Sequence, residues 1–201
     1  MEGTNRSRSD ETLLEAYRVG EGGALRVLVE RYQDELFRFL YRLTGDRQTA
    51  EDAFQEAFLQ VHLSADTFDP ERRFRPWLFT IAANKARDLL RKKARRQALD
   101  LSAPVGKGSD DGPTFVDLLE VDVPAPSSAL DDKERDAMVQ EAMNRMPLPL
   151  REILLLAYFQ RLSYVQIAGE LEIPLGTVKS RLHAAVAAFA KHWKAISTGN
   201  Q

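Results

Sequence analysis

Residues 163–182 read "SYVQIAGELEIPLGTVKSRL", two helical stretches separated by a short break. Ser163 and Gln166 have the capping-box spacing that starts a helix, in which a hydroxyl and an amide satisfy each other's free backbone N–H groups. Ile167, Ala168 and Leu171 then share one face, and the small Ala168 permits close helix contact. "EIPLG" (172–176) interrupts the pattern, with Pro174 suited to begin a second helix. Val178 and Leu182, four apart, turn back to a core, while Lys179, Ser180, Arg181 and His183 project elsewhere. Helix, short turn, helix is the arrangement that lays its second helix in the major groove, with the N-terminal residues at the base edges. Helical hairpins with prolines also occur in bundles, so the remainder of the chain has to decide.

Downstream, "AAVAAFA" (184–190) carries no charge and reads as packing. No acidic residue follows Glu172, and Lys191 and Lys194 leave the C-terminal end mildly basic. The grip this pair offers a polyanion is weak.

Upstream, helical periodicity dominates the 201 residues, and no strand shows sustained alternation. Leu25, Leu28, Val29, Tyr32, Leu36, Phe39, Leu40 and Leu43 recur at three- and four-residue steps, one apolar stripe along a long helix. "TGD" (44–46) stops it, and Asp46 or Thr49 can cap the next helix, whose stripe is Ala50, Ala53, Phe54, Ala57, Phe58 and Val61. Pro76 suits the first turn of a third helix reaching about Arg96, with Trp77, Leu78, Ile81, Ala82 and Leu89 on its apolar side. Residues 97–136 differ in kind: four prolines, three glycines and ten acidic against three basic residues cannot bury enough apolar surface to order themselves. The expectation is an all-α chain of two small helical domains, 10–96 and 134–196, joined by a flexible acidic linker, 97–133.

The net charge of −2 hides a strong segregation. Between Arg72 and Arg96 lie ten basic residues and one acidic residue, Asp88. Ordinary salt-bridge lacing alternates signs, so this imbalance asks for an outside anion. A phosphate backbone, which releases counterions when neutralised, is the natural partner.

Three stretches together resemble the bacterial sigma factors of the sigma-70 family, and specifically the compact extracytoplasmic-function (ECF) type. "DRQTAEDAFQEAFLQVH" (46–62) looks like their polymerase-binding helix, "FRPWLFTIAANKARDLLRKK" (74–93) like their promoter-melting and minus-10-binding helix, and 163–182 like their minus-35 helix-turn-helix. The resemblance implies sigma region 2 over 10–96 and sigma region 4 over 134–196. It implies docking of Asp52, Gln55, Glu56 and Phe58 on the beta-prime clamp of core RNA polymerase, with region 4 at the beta flap. Loop 64–73 would capture a flipped base of the minus-10 element. Arg72, Arg75, Asn84, Lys85, Arg87, Arg91 and Lys92 would hold the minus-10 DNA, and Thr177, Lys179, Ser180, Arg181 and His183 the minus-35 DNA. Phe54, Phe58 and Trp77, at helical spacing, also suit a core. The family's run of cations after "KSRLH" is replaced here by Ala184, Ala185, Val186, Ala187 and Ala188. Base contacts are therefore not carried beyond His183, and weaker minus-35 affinity or an auxiliary partner is expected. The resemblance also implies promoter DNA and an anti-sigma factor as partners, and no cofactor.

The competing reading is a two-domain helix-turn-helix regulator that acts without becoming a polymerase subunit; the 46–93 block argues against it. An enzyme finds little support, since His62, His183 and His192 lack metal-ligand spacing and no glycine-rich phosphate loop follows a strand. Cysteine is absent, the start "MEGTNRSRSDE" has no apolar core, and the longest apolar run, 153–159, is too short for a bilayer, so a cytoplasmic protein is expected.

Overall fold

A computed structural model describes residues 8–100 and 132–199, apart from 159 and 161. Among these the chain is all helical. The N-terminal module comprises α1 (Asp10–Arg18), α2 (Gly22–Thr44), α3 (Arg47–Ser64), a 3-10 turn (Ala65–Thr67) and α4 (Phe74–Asp100). The C-terminal module comprises α5 (Asp132–Asn144), α6 (Leu148–Tyr158), α7 (Tyr164–Leu171) and α8 (Leu175–Gly199). Most of the expected linker, 101–131, falls outside the described residues, while α4 runs on to Asp100.

The expected stripe of α2 is its buried face: Leu28, Tyr32, Leu36, Phe39, Leu40 and Leu43 are buried, with Leu25 and Val29 at its edges. Within the N-terminal module three helices cover that face, α1, α3 and α4. Aromatic edges fill the centre, with Phe39 against Phe79 at 5.1 Å and Tyr32 against Phe74 at 5.8 Å between ring centroids. Truncating a buried phenylalanine of this kind to alanine costs about 3–5 kcal/mol. Trp77, half-buried, packs 4.8 Å from Phe68, which makes it part of this core.

The helix α1, which the periodicity of the sequence did not single out, is capped by Ser9 and carries Asp10 and Glu11 in its first turn, where the positive end of the helix dipole favours them. It is pinned to α2 by polar contacts. Asp10 pairs with Arg31 and accepts a 2.5 Å hydrogen bond from the Tyr32 hydroxyl. Burial, then the Asp10 carboxylate, pushes the Tyr32 phenol far above its usual range.

Two short devices set the turn from α2 to α3. Gly45, at φ 72°, takes the left-handed conformation that closes α2, its N–H donating to Tyr41 O at 2.9 Å. Asp46 then caps α3, accepting from the Thr49 N–H at 3.1 Å and from the Thr49 hydroxyl, with Lys93 of α4 at 3.1 Å. The Thr49 hydroxyl and backbone bonds, and then Lys93, hold the Asp46 carboxyl down to about 2. A depressed carboxyl pKa stabilises the fold above the unfolded value and loses that contribution as pH falls through the folded one. Asp46→Ala is therefore expected to lower stability by about 1 kcal/mol near neutrality, the usual scale of a lost N-cap. Urea unfolding at a series of pH values should show the gap from wild type constant down to about pH 4 and closing as pH falls toward 2, because the carboxylate is already lost there in both chains.

Candidate nucleic-acid interface

On α4 the cations divide between two employments. Lys93 serves the α3 cap; Lys85 Nζ donates to Gln60 Oε1 at 3.0 Å. Arg75 pairs with Glu35 and also donates from Nε to Gln160 Oε1 at 3.2 Å. Arg87 Nη2 lies 2.5 Å from Glu152 Oε1 of α6. By contrast, Arg72, Asn84, Arg91 and Lys92 are exposed, and Arg91 has only Asp88 at 3.8 Å, a long contact between two solvent-facing side chains. Asn84, Asp88, Arg91 and Arg95 stand at three- and four-residue steps, so they share one exposed face of α4 with Lys92 at its side. The seven proposed minus-10 residues are thus not one surface: four project, and Arg75, Lys85 and Arg87 are held by neighbours.

The outer face of α3 supplies a second surface. Gln55 is exposed, Asp52 and Glu56 are half-buried, and Asp52 accepts from Gln48 Nε2 at 3.1 Å. Phe58 is buried, its ring 5.1 Å from that of Phe54, so its side chain supports the helix and is not displayed. Display falls to Leu59 and Leu63, which are 56% and 67% exposed and follow Gln55 at successive four-residue steps. Neither leucine is among the docking residues expected from the sequence; the signal there was an apolar pair just outside the core stripe of α3.

The helix-turn-helix follows its local chemistry. The reciprocal Ser163–Gln166 capping box is formed, with Ser163 N donating to Gln166 Oε1 at 2.9 Å and Gln166 N to the Ser163 hydroxyl at 3.3 Å. Val178 and Leu182 are buried. Lys179, Ser180 and His183 are exposed, Thr177 and Arg181 half-buried, and the Ser180 hydroxyl donates back to Thr177 O at 3.1 Å. Ala185 is fully buried and Phe189 stacks on Trp193 at 6.1 Å, so the uncharged end of α8 packs against the module. The break falls where "EIPLG" places it, between Leu171 and Leu175, but its backbone was not legible: Glu172 sits at φ 53°, a left-handed conformation that favours glycine.

These features define a two-module helical DNA-binding protein, with an exposed apolar-and-acidic face on α3 beside a cationic face on α4. Family profiles match in the same places: sigma-70 region 2 over residues 28–96 and sigma-70 region 4 over residues 136–189. The ECF RNA polymerase sigma factor SigW of Bacillus subtilis is 33% identical over 82% of this chain and 86% of its own. The RNA polymerase sigma-H factor of Pseudomonas aeruginosa is 33% identical over 90% of this chain and 92% of its own. Among solved structures, the sigma factor RpoE in complex with the anti-sigma factor NepR from Bartonella quintana is similar in fold, with a TM-score of 0.63 at 22% identity over 84% of this chain and 96% of that one. CnrH, solved with the cytosolic domain of CnrY, gives 0.61 at 22% identity over 94% and 99%. The chain belongs to the ECF sigma factors of the sigma-70 family. It is an alternative sigma factor that directs transcription initiation, and the reading as a regulator working apart from polymerase falls away. No described helix is long and apolar enough to cross a membrane.

Glu172 offers a direct check on the turn. Glu172→Gly removes a Cβ from a left-handed position and is expected to stabilise the C-terminal module by about 1 kcal/mol. Thermal unfolding followed by circular dichroism would register it as a rise in midpoint; a fall would mean that the turn is held differently.

Proposed function

We propose that the two faces of the N-terminal module divide the work of initiation. The observation that carries this is their adjacency: α3 and α4 pack on each other, one presenting Asp52, Gln55, Glu56, Leu59 and Leu63, the other Asn84, Arg91 and Lys92, with Arg72 exposed in the loop just before it. The α3 face docks on the beta-prime clamp of core RNA polymerase. Exposed leucines bounded by acid and amide groups suit a protein interface, whereas α4 suits DNA. Arg91 and Lys92 grip phosphates, with Arg72 and Asn84 near the separating strands and Arg75, Lys85 and Arg87 joining when their present partners release them. Loop 64–73 receives a base of the minus-10 element. Thr177, Lys179, Ser180, Arg181 and His183 meet the minus-35 element, with the C-terminal module at the beta flap.

The modules span 10–96 and 134–196, tethered by 97–133. Sigma factors perform no bond chemistry; polymerase joins the nucleotides, and the chain acts in the cytoplasm where polymerase is. An anti-sigma protein is its expected regulator, a reading supported by likeness in fold to a sigma factor solved with one.

Run-off transcription with core polymerase tests the division. Arg91→Glu with Lys92→Glu should abolish promoter opening while co-purification with core polymerase persists. Leu59→Asp with Gln55→Ala should weaken co-purification first, by about tenfold or more, since burying a charge in an apolar contact is costly. If the two pairs exchanged phenotypes, the assignment of α3 and α4 would be reversed.

A further inference from the structure

The helix α8 continues well past the residues expected to read DNA, and its charge is one-sided. After Glu172 the sequence holds no acidic side chain, so Lys179, Arg181, Lys191 and Lys194 have no carboxylate on their own helix to answer them. The region 4 profile ends at residue 189, while α8 runs to Gly199. Helix ends fray unless something ties them down, and this one is tied. Ile196 is buried and packs with Met138 and Ala142 of α5, against which Phe189 and Trp193 also lie. The hydroxyls of Ser197 and Thr198 donate to Lys194 O at 3.2 and 2.7 Å.

That fixed end prolongs the reading face. At 3.6 residues per turn, Ser180, His183, Lys191, Lys194 and Thr198 fall within about 80° of arc, and all five are exposed. The buried Val178, Leu182, Ala185 and Ile196 fall on the opposite side. One exposed face therefore runs the length of α8, with the proposed base readers at its start and two lysines near its end. Along it lie Ala184, Ala187 and Ala190, side chains too small to hold DNA away. At 1.5 Å per residue, Lys191 and Lys194 stand about 12 and 17 Å beyond His183 along the axis. The major groove is about 12 Å wide, so a helix whose first turns touch base edges has by then reached the phosphate rim. Reading helices of the homeodomain type meet the DNA backbone with their C-terminal ends in this way. Among the described residues neither lysine has a carboxylate partner. The helix dipole does not account for them either, since its pull is confined to the last turn.

We propose that the far end of α8 is a second DNA-backbone contact, in which Lys191 and Lys194 take phosphates at the groove rim while Trp193 and Ile196, seated on α5, hold them in line with the readers. This rests on the minus-35 reading of Thr177, Lys179, Ser180, Arg181 and His183. The uncharged stretch 184–190 then separates two contacts and does not end the interface. Phosphate contacts carry no sequence information, so the far pair supplies grip and register while the first turns supply choice.

The test is the salt dependence of binding by the full chain. Its affinity for a fluorescein-labelled duplex of about 30 base pairs of random sequence is measured by anisotropy, because phosphate contacts need no particular bases. The native chain is compared with Lys191→Gln plus Lys194→Gln, with Lys191→Arg plus Lys194→Arg, and with Lys179→Gln. Each neutralised phosphate contributes about 0.9 to the slope of log affinity against log salt. The glutamine pair is expected to flatten that slope by about 1.8, so that its gap from native affinity narrows about tenfold between about 50 and 200 mM salt. The arginine pair should keep the native slope, and Lys179→Gln should flatten it by about 0.9. A native slope in the glutamine pair, folded by circular dichroism, overturns the second contact while a flattened slope in Lys179→Gln leaves the minus-35 reading standing. A slope flattened equally by the arginine pair also overturns it, since charge is then not the cause. If Lys179→Gln too keeps the native slope, the minus-35 reading falls and the second contact falls with it. Should the glutamine pair fail to fold, Lys194→Gln alone decides, by a slope flattened by about 0.9 or left as it was.

Discussion

The helix α2 is the constraint on which the rest of the molecule is built. Its apolar stripe is wide enough to need three partners, and α1, α3 and α4 supply them. Burying that stripe fixes which sides of α3 and α4 face inward, and therefore which sides remain to meet other molecules. The proposed polymerase face and the cationic face are the outer surfaces left over after the core is satisfied. Function in this module is set by rotation of two helices about their axes, and α2 sets both rotations.

Charge follows a second rule. A helix with as many cations as α4 repels itself, and the fold relieves that repulsion only in part. Near its inner edge Lys85 and Arg87 find acceptors on α3 and α6, while Arg91 and Lys92 are left in water. Exposed cations lose little by waiting for phosphate, since water solvates them well. Inner cations would be costly without a partner, and each has one. Availability for DNA is thus graded along a single helix by depth.

Much of this was legible in the sequence because local chemistry and tertiary packing agree. The stripe of α2, the Asp46 cap, the Ser163–Gln166 box and the inward Val178 and Leu182 all follow from spacing alone. What was not legible depends on residues far apart. Nothing near Arg151 indicates that it will cap a helix more than a hundred residues earlier, and Glu152 reads as an ordinary helical acid until α4 is placed beside it. Glu172 was hidden for another reason: left-handed residues are anticipated from glycine or asparagine, and this turn uses neither. Phe58 shows the converse, since a residue inside a binding motif proved to be packing while the neighbouring Leu59 carried the exposure.

A tethered pair of weak binders has to avoid two failures, gripping DNA without polymerase and failing to grip it with polymerase. Exposed phosphate ligands alone would suffer the first, because their attraction to any nucleic acid is independent of sequence. The Arg87–Glu152 pair engages one cation of α4 with an internal carboxylate without removing it from the helix. The uncharged end of α8 bears on the same problem: with few cations beyond Arg181, the proposed minus-35 surface would add recognition without a strong grip that acts alone.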